Sequence, residues 1–246
     1  MEIELVNYFI KGNIALKKVD EDYPDNKLSG AVFEVYSDTN GDGKLDNDDT
    51  LLGEMKELDG GVYQMSELRY GKYLVKEIKA PTGFVLDEDV YAVSIEENGK
   101  TYTVENKAGV GFINAAQKGS LKIVKTSSDG KVEGFSFRVT GVDYDQTFKT
   151  DKNGEIVIEG LRIGDYTVSE VSDKASAGYI LPADKQATVK ADATAIVQMH
   201  NEFRDTPKTG DDFNLGLWVS LAALSVVGAG VLGFVGYKNR KKKKED

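Results

Sequence analysis

Apolar and polar residues alternate along most of this chain. The alternation is clear over Ile14–Val19, Val32–Tyr36, Tyr73–Ile78, Tyr91–Ile95 and Thr101–Val104, which are rich in Val, Ile, Tyr, Phe and Thr. A period of two sends successive side chains to opposite faces, so these segments predict half-buried β-strands. Asn98-Gly99, between the last two, predicts a hairpin turn. One segment breaks the pattern. Phe213 to Tyr237 runs for 25 residues without a charge. At ~1.5 Å per helical residue it outspans a hydrocarbon core of ~30 Å, which predicts one transmembrane helix. No other segment sustains a helical period.

The chain also repeats itself. Gly12-Asn13-Ile14-Ala15-Leu16-Lys17-Lys18 matches Gly119-Ser120-Leu121-Lys122-Ile123-Val124-Lys125, and Gly30–Val35 matches Gly134–Val139. Leu68–Glu77 matches Leu161–Glu170, and Gly83-Phe84-Val85-Leu86 matches Gly178-Tyr179-Ile180-Leu181. Residues 12–118 and 119–204 are therefore expected to be two copies of one domain. The expected fold class is all-β, a tandem of small antiparallel sandwiches followed by the C-terminal helix. Asn7 lies five residues before Gly12, as Asn114 lies five before Gly119. Residues 1–11 thus read as the last strand of a truncated preceding repeat.

Gly-Lys-Tyr-Leu-Val-Lys-Glu-Ile-Lys-Ala-Pro-Thr-Gly-Phe, residues 71–84, resembles the E-box region of the prealbumin-like domains of Gram-positive pilins and collagen adhesins, the B-type or SpaA-like repeats. The second copy has Ser172–Ala177 where the first has its Ala-Pro pair, so its match is softer. The resemblance implies a prealbumin/Ig-like sandwich. It also implies an internal isopeptide bond between a Lys and an Asn, aided by a Glu.

The residues support that chemistry by parity. Lys18 shares a strand face with Ile14 and Leu16, and Lys125 with Leu121 and Ile123. Glu77 follows Tyr73 and Val75, and Glu170 follows Tyr166 and Val168. Each copy therefore places a Lys and a Glu on an apolar, inward face, where unpaired charge is costly. A buried salt bridge would satisfy them. A reaction would too: burial favours the neutral amine and the neutral carboxyl, so the amine can attack an amide while the acid shuttles the proton. In the second copy the acceptor is Asn201, on the face of Val197 and Met199. In the first, Asn114 (behind Val110 and Phe112) and Asn106 (behind Tyr102 and Val104) both qualify by parity. The spacing to the next repeat favours Asn114, with Asn106 as the alternative. Asn7 has no Lys of its own.

Thr206-Pro207-Lys208-Thr209-Gly210, the apolar run and the basic stretch Lys238–Lys244 resemble, in that order, a cell-wall sorting signal. In that family a sortase cuts a Leu-Pro-x-Thr-Gly pentapeptide between Thr and Gly and joins the Thr to peptidoglycan. Here Thr206 stands where Leu is usual. The resemblance implies sortase and peptidoglycan as partners, with attachment through Thr209 and membrane insertion only in the precursor. The six cations after the apolar run hold that end in the cytoplasm and place residues 1–212 outside. No leader is evident at Met1–Leu5, so the chain reads as the C-terminal part of an exported protein.

The formal charge is −10, and the tail after Tyr237 carries +4, which leaves about −14 on residues 1–212. That argues against nucleic acid and anionic lipid as partners. With no Cys and one His (His200), thiol chemistry, His-based triads and zinc sites fall away. The first copy has 11 more residues than the second between Phe33 and Gly61. That insertion fits a calcium loop, with Asp38, Asn40, Asp42, Asp46 and Asp49 offering side-chain oxygens and Lys44 its carbonyl. A solvated Asn/Asp/Gly hairpin would also account for it. No other cofactor is expected.

The combined expectation is a non-enzymatic, extracellular, wall-anchored protein. Its isopeptide-stabilised stalk would present a distal adhesive region to a host matrix protein. The alternatives are a minor or basal pilin joined to a pilus shaft, and the stalk of a wall-anchored enzyme.

Overall fold

The computed structural model describes residues 8–204, which fall into two compact units divided between Lys118 and Gly119. The first unit holds β1 (Lys11–Asp20), β2 (Val32–Ser37), β3 (Thr50–Glu54), β4 (Lys56–Asp59), β5 (Val62–Arg69), β6 (Gly71–Lys79), β7 (Val90–Ile95), β8 (Thr101–Thr103) and β9 (Phe112–Asn114). The second begins with β10 (Lys118–Ser127) and continues through β11 (Ser136–Gly141), β12 (Tyr144–Lys149), β13 (Glu155–Arg162) and β14 (Gly164–Glu170). It ends with β15 (Tyr179–Ile180), β16 (Lys185–Val189) and β17 (Thr194–Phe203). No helix occurs among the described residues. The sorting motif Thr206–Gly210, the apolar run 213–237, the basic tail and Asn7 lie outside them.

Each unit packs two sheets face to face. In the first, β4-β5-β1-β8, with β9 also on β1, opposes β3-β2-β6-β7. In the second, β13-β10-β17-β15 opposes β12-β11-β14-β16. The inward residues of the alternating strands meet between the sheets. Ile14, Leu16, Phe33, Val35, Val75 and Phe112 fill one core, and Leu121, Ile123, Phe137, Val139, Val168 and Met199 fill the other. Strands β5 and β6 are adjacent in sequence but belong to opposite sheets, so the chain switches sheets at Gly71, as it does at Gly164. A tyrosine hydroxyl braces each corner: Tyr73 donates to the Arg69 carbonyl (2.6 Å) and Tyr166 to that of Arg162 (2.8 Å).

Two expectations are corrected. The sandwiches are not purely antiparallel. The first strand of each unit runs parallel to the last, β1 beside β8 and β9, and β10 beside β17. Asn98-Gly99 does turn the chain, with Gly99 at φ +76°, but it does not close a hairpin. Strand β7 pairs with β6 and β8 with β1, so the turn carries the chain across the sandwich. The Gly99 N–H is taken by the Lys11 carbonyl of β1 at 2.7 Å and not by β7. Residues 8–10 precede β1 without forming a strand, and Lys11 belongs to β1.

Candidate functional site

The same three residues meet inside each sandwich because of two registers. On the paired first and last strands, Lys18 stands opposite Phe112 and Asp20 opposite Asn114. Lys125 stands opposite Met199 and Ser127 opposite Asn201. The Asn is thus two residues beyond the Lys in both units, on the same inward face. That offset is about 7 Å along the strand and about 5 Å across it, within reach of a lysine side chain. The Glu comes from the opposing sheet, where Glu77 pairs with Phe33 and Glu170 with Phe137. The Lys backbone is held alike as well. Its N–H donates to Gly61 (2.7 Å) in one unit and to Gly154 (2.8 Å) in the other. These glycines have φ of +84° and +77°, and a Cβ on either would press within 3 Å of neighbouring backbone.

In the first unit Lys18, Glu77 and Asn114 are all buried, Lys18 and Glu77 completely. The Lys18 ammonium touches Asn114 Oδ1 and lies 3.3 Å from Glu77 Oε1. Asn114 Nδ2 donates to both Glu77 oxygens at 3.1 and 2.9 Å. The backbone N–H of Asp87 reaches Glu77 Oε2 at 2.9 Å. Burial brings the Lys18 amine down to about 8 against the opposing pull of the Glu77 and Asp87 charges. Phe112 and Phe33 wall the nitrogen, their ring centres 4.5 and 5.9 Å away. The amine is therefore dry, easily neutralised and in contact with an amide whose NH2 group the carboxylate holds.

The second unit holds the same residues more loosely. Asn201 Nδ2 donates to Glu170 Oε1 at 2.6 Å, but the Lys125 ammonium turns to the carbonyl of Thr126. Glu170 Oε2 and Asn201 Oδ1 are buried without a hydrogen-bond partner. Burial lowers the Lys125 amine and raises the Glu170 carboxyl. Two unsatisfied buried oxygens are costly, and a donor reaching either would relieve it.

Asn106, the alternative acceptor, does not approach Lys18. Its amide bridges Asp87 and the backbone of Ile113. Sequence reasoning missed this role because a side chain acting as a strand partner leaves no periodic signal. His200 sits on the surface of β17, with Thr126 Oγ1 2.8 Å from Nδ1 and Glu202 3.2 Å from Nε2.

The acidic insertion between β2 and β3 winds on its own side chains. Asp38 accepts from the N–H groups of Gly41 (2.6 Å) and Gly43 (3.2 Å), and Asn40 from that of Asp42 (3.0 Å). Asp42 accepts from Lys44 N–H (2.8 Å), and Asp49 from Thr39 (3.1 Å) and Asp46 (2.9 Å). Lys72 places its ammonium on the Gly41 carbonyl at 3.0 Å, which offsets part of the acidic repulsion. Among the described residues no three Asp or Glu side chains converge on a point where they could hold one ion. The donor set is chemically suited to calcium, being all hard oxygen, but its carboxylates are engaged with backbone amides.

Two copies of one sandwich, each with a Lys and an Asn buried in its core beside a Glu of the opposing sheet, make this a tandem-repeat protein. The chain belongs to the SpaA prealbumin-like fold domain family, whose pattern matches residues 12–108 and again 119–203. It is 25% identical over 238 residues to the trypsin-resistant surface T6 protein of Streptococcus pyogenes serotype M6, an alignment covering 93% of this chain and 37% of that one. Its fold is similar to the Bacillus anthracis TIE protein, with a TM-score of 0.59 and 25% identity over 79% of this chain and 34% of that one. The C-terminal fragment of the pilus adhesin SpaC from Lactobacillus rhamnosus GG matches with a TM-score of 0.48 and 13% identity, over 81% of this chain and 99% of the fragment. The chain spans little more than a third of the length of the first two relatives.

Proposed function

We propose that the chain is the stalk of a sortase-anchored surface protein whose two domains each weld their first strand to their last. The observation that supports this best is the contact of the Lys18 ammonium with the Asn114 amide while Glu77 grips the other end of that amide. In the reaction, Lys18 passes a proton to Glu77 and attacks Asn114 Cγ as a neutral amine. A new Nζ–Cγ bond forms, the Cγ–Nδ2 bond breaks, and Glu77 relays the proton that lets Nδ2 leave as ammonia. The second Nζ proton replaces the one Glu77 gives to Nδ2, so Glu77 starts as a carboxylate beside an ammonium and ends as a neutral acid. The step removes a buried cation, whose desolvation costs several kcal/mol in the unreacted domain. Lys125, Glu170 and Asn201 carry the same step in the second domain. Each domain reacts once, so the protein is not an enzyme in the turnover sense.

Intact-mass measurement tests the bonds. The two-domain product should be lighter than its sequence by two ammonia molecules, and a full-sequence mass would refute the reading. Anchoring is tested separately by expression in hosts with and without sortase. Wall attachment through Thr209 requires the enzyme, and equal release from the wall in both hosts would remove that part. The family's surface relatives support an extracellular place for the stalk. The insertion Asp38–Asp49 is proposed as a weak calcium loop. A carboxylate that accepts one amide hydrogen keeps lone pairs for a cation.

A further inference from the structure

The two closing strands differ in how they hold the acceptor asparagine. In the second domain β17 follows β10 without a break, from Ser120 opposite Thr194 to Ser127 opposite Asn201. The ladder with β10 thus runs unbroken up to Asn201. In the first domain the closing strand leaves β1 after Thr103, which is opposite Ala15, and returns at Phe112, opposite Lys18. The three-residue β9 that carries Asn114 therefore has a short ladder on one side, and the N–H and C=O of Ile113 face away from it.

Asn106, within the excursion, occupies that open side. Its Oδ1 accepts from the Ile113 N–H at 2.6 Å, and its Nδ2 donates to the Ile113 carbonyl at 2.9 Å. One side chain thus pairs both backbone groups of the residue next to Asn114, as a neighbouring strand would. The same Nδ2 donates to Asp87 Oδ2 at 2.7 Å, an oxygen also held by the Tyr91 hydroxyl at 2.8 Å. Asp87 is the residue whose backbone N–H fixes Glu77 Oε2. The amide of Asn106 therefore joins the strand carrying the acceptor to the loop orienting the acid.

Resting on the cross-link proposed above, we infer that Asn106 is a positioning residue for bond formation in the first domain, locking Asn114 and Glu77 into one geometry against Lys18. Asn106 touches none of the reacting atoms, and its absence acts through them. A displacement of about 1 Å can cost on the order of 100-fold in such a reaction, so loss of the clamp should slow the step at least about tenfold.

The test uses the full chain made by cell-free synthesis, quenched at intervals and digested. The Lys18–Asn114 and Lys125–Asn201 cross-linked peptides are then quantified by mass in the same sample. Asn106→Ala should slow the first cross-link at least about tenfold and leave the second unchanged. The experiment runs well below the melting temperature of an Asn114→Ala, Asn106→Ala double variant. There a purely stabilising role would leave the rate alone. If Asn106→Ala does not fold, Asn106→Asp replaces it. The carboxylate so introduced keeps an acceptor for the Ile113 N–H but cannot donate to Ile113 or Asp87, and the same selective slowing is expected. Equal first-domain rates in variant and parent would overturn the clamp. If the parent loses no ammonia in either domain, the cross-link itself fails and the clamp falls with it.

Discussion

Replacing Asn114 by Ala should turn the first domain from a rigid link into an extensible one under load. With the proposed Lys18–Asn114 bond in place, force applied at the two chain ends would bypass the interior of the domain. The two partners are 96 residues apart in sequence, and all of that length is hidden. An extended chain spans at most ~3.3–3.6 Å per residue, so release of this segment should lengthen the tether by on the order of 300 Å. The folded distance to be subtracted is only that between neighbouring strands. In the second domain 76 positions separate Lys125 from Asn201, and the matching release is on the order of 250 Å. Single-molecule force spectroscopy of the whole chain resolves the two. The parent should show neither step. Asn114→Ala should show the longer one alone, because the second domain stays locked. The variant keeps Lys18 beside Glu77 but loses the covalent closure across 96 positions of sequence, so its melting point should fall as well. A long step in the unsubstituted protein would refute the argument for the first domain, and a short one would refute it for the second.

Three further outcomes are expected. Glu77→Gln should leave the product heavier by one ammonia, and Glu170→Gln likewise, since a glutamine cannot relay the proton; peptide mapping decides which bond is missing. In the Asn114→Ala variant, thermal stability should rise as pH climbs from about 8 towards 10.5. The folded amine gives up its proton near the lower value and the unfolded one near the upper, so in that window the unfolded chain binds more protons and is disfavoured. A melting curve flat across that window would show that Lys18 is not desolvated. Calorimetry with millimolar calcium should give weak heat that disappears in Asp38→Asn with Asp42→Asn, and no heat in the parent would remove the calcium loop.

The inward placement of the reactive groups was legible from alternation alone. Lys18 and Lys125 each continue an apolar face, and the structure buries both to within 1% exposure. Lysine is seldom found there without cause. Asn114 was separable from Asn106 only through its distance to the next repeat, since both satisfy parity. The parallel neighbouring of first and last strands was not legible, because a strand's own sequence carries no mark of its partner's direction. The supposed hairpin at Asn98-Gly99 failed for a related reason. The turn chemistry was right, but which sheet receives the following strand depends on the core as a whole. The contrast between a well-gathered trio in the first domain and a loosely gathered one in the second depends on side-chain contacts such as Lys125 to Thr126, which no pattern of residue types encodes.

The side-by-side, same-direction arrangement of β10 and β17 has a consequence for how such modules accumulate. The chain enters at one pole and departs from the opposite one. Every copy therefore carries the polypeptide forward by about the length of a ten-residue strand, roughly 33 Å. Because entry and exit lie at opposite ends within each module, a further copy can be joined by its own first strand with no redesign of the copies already present.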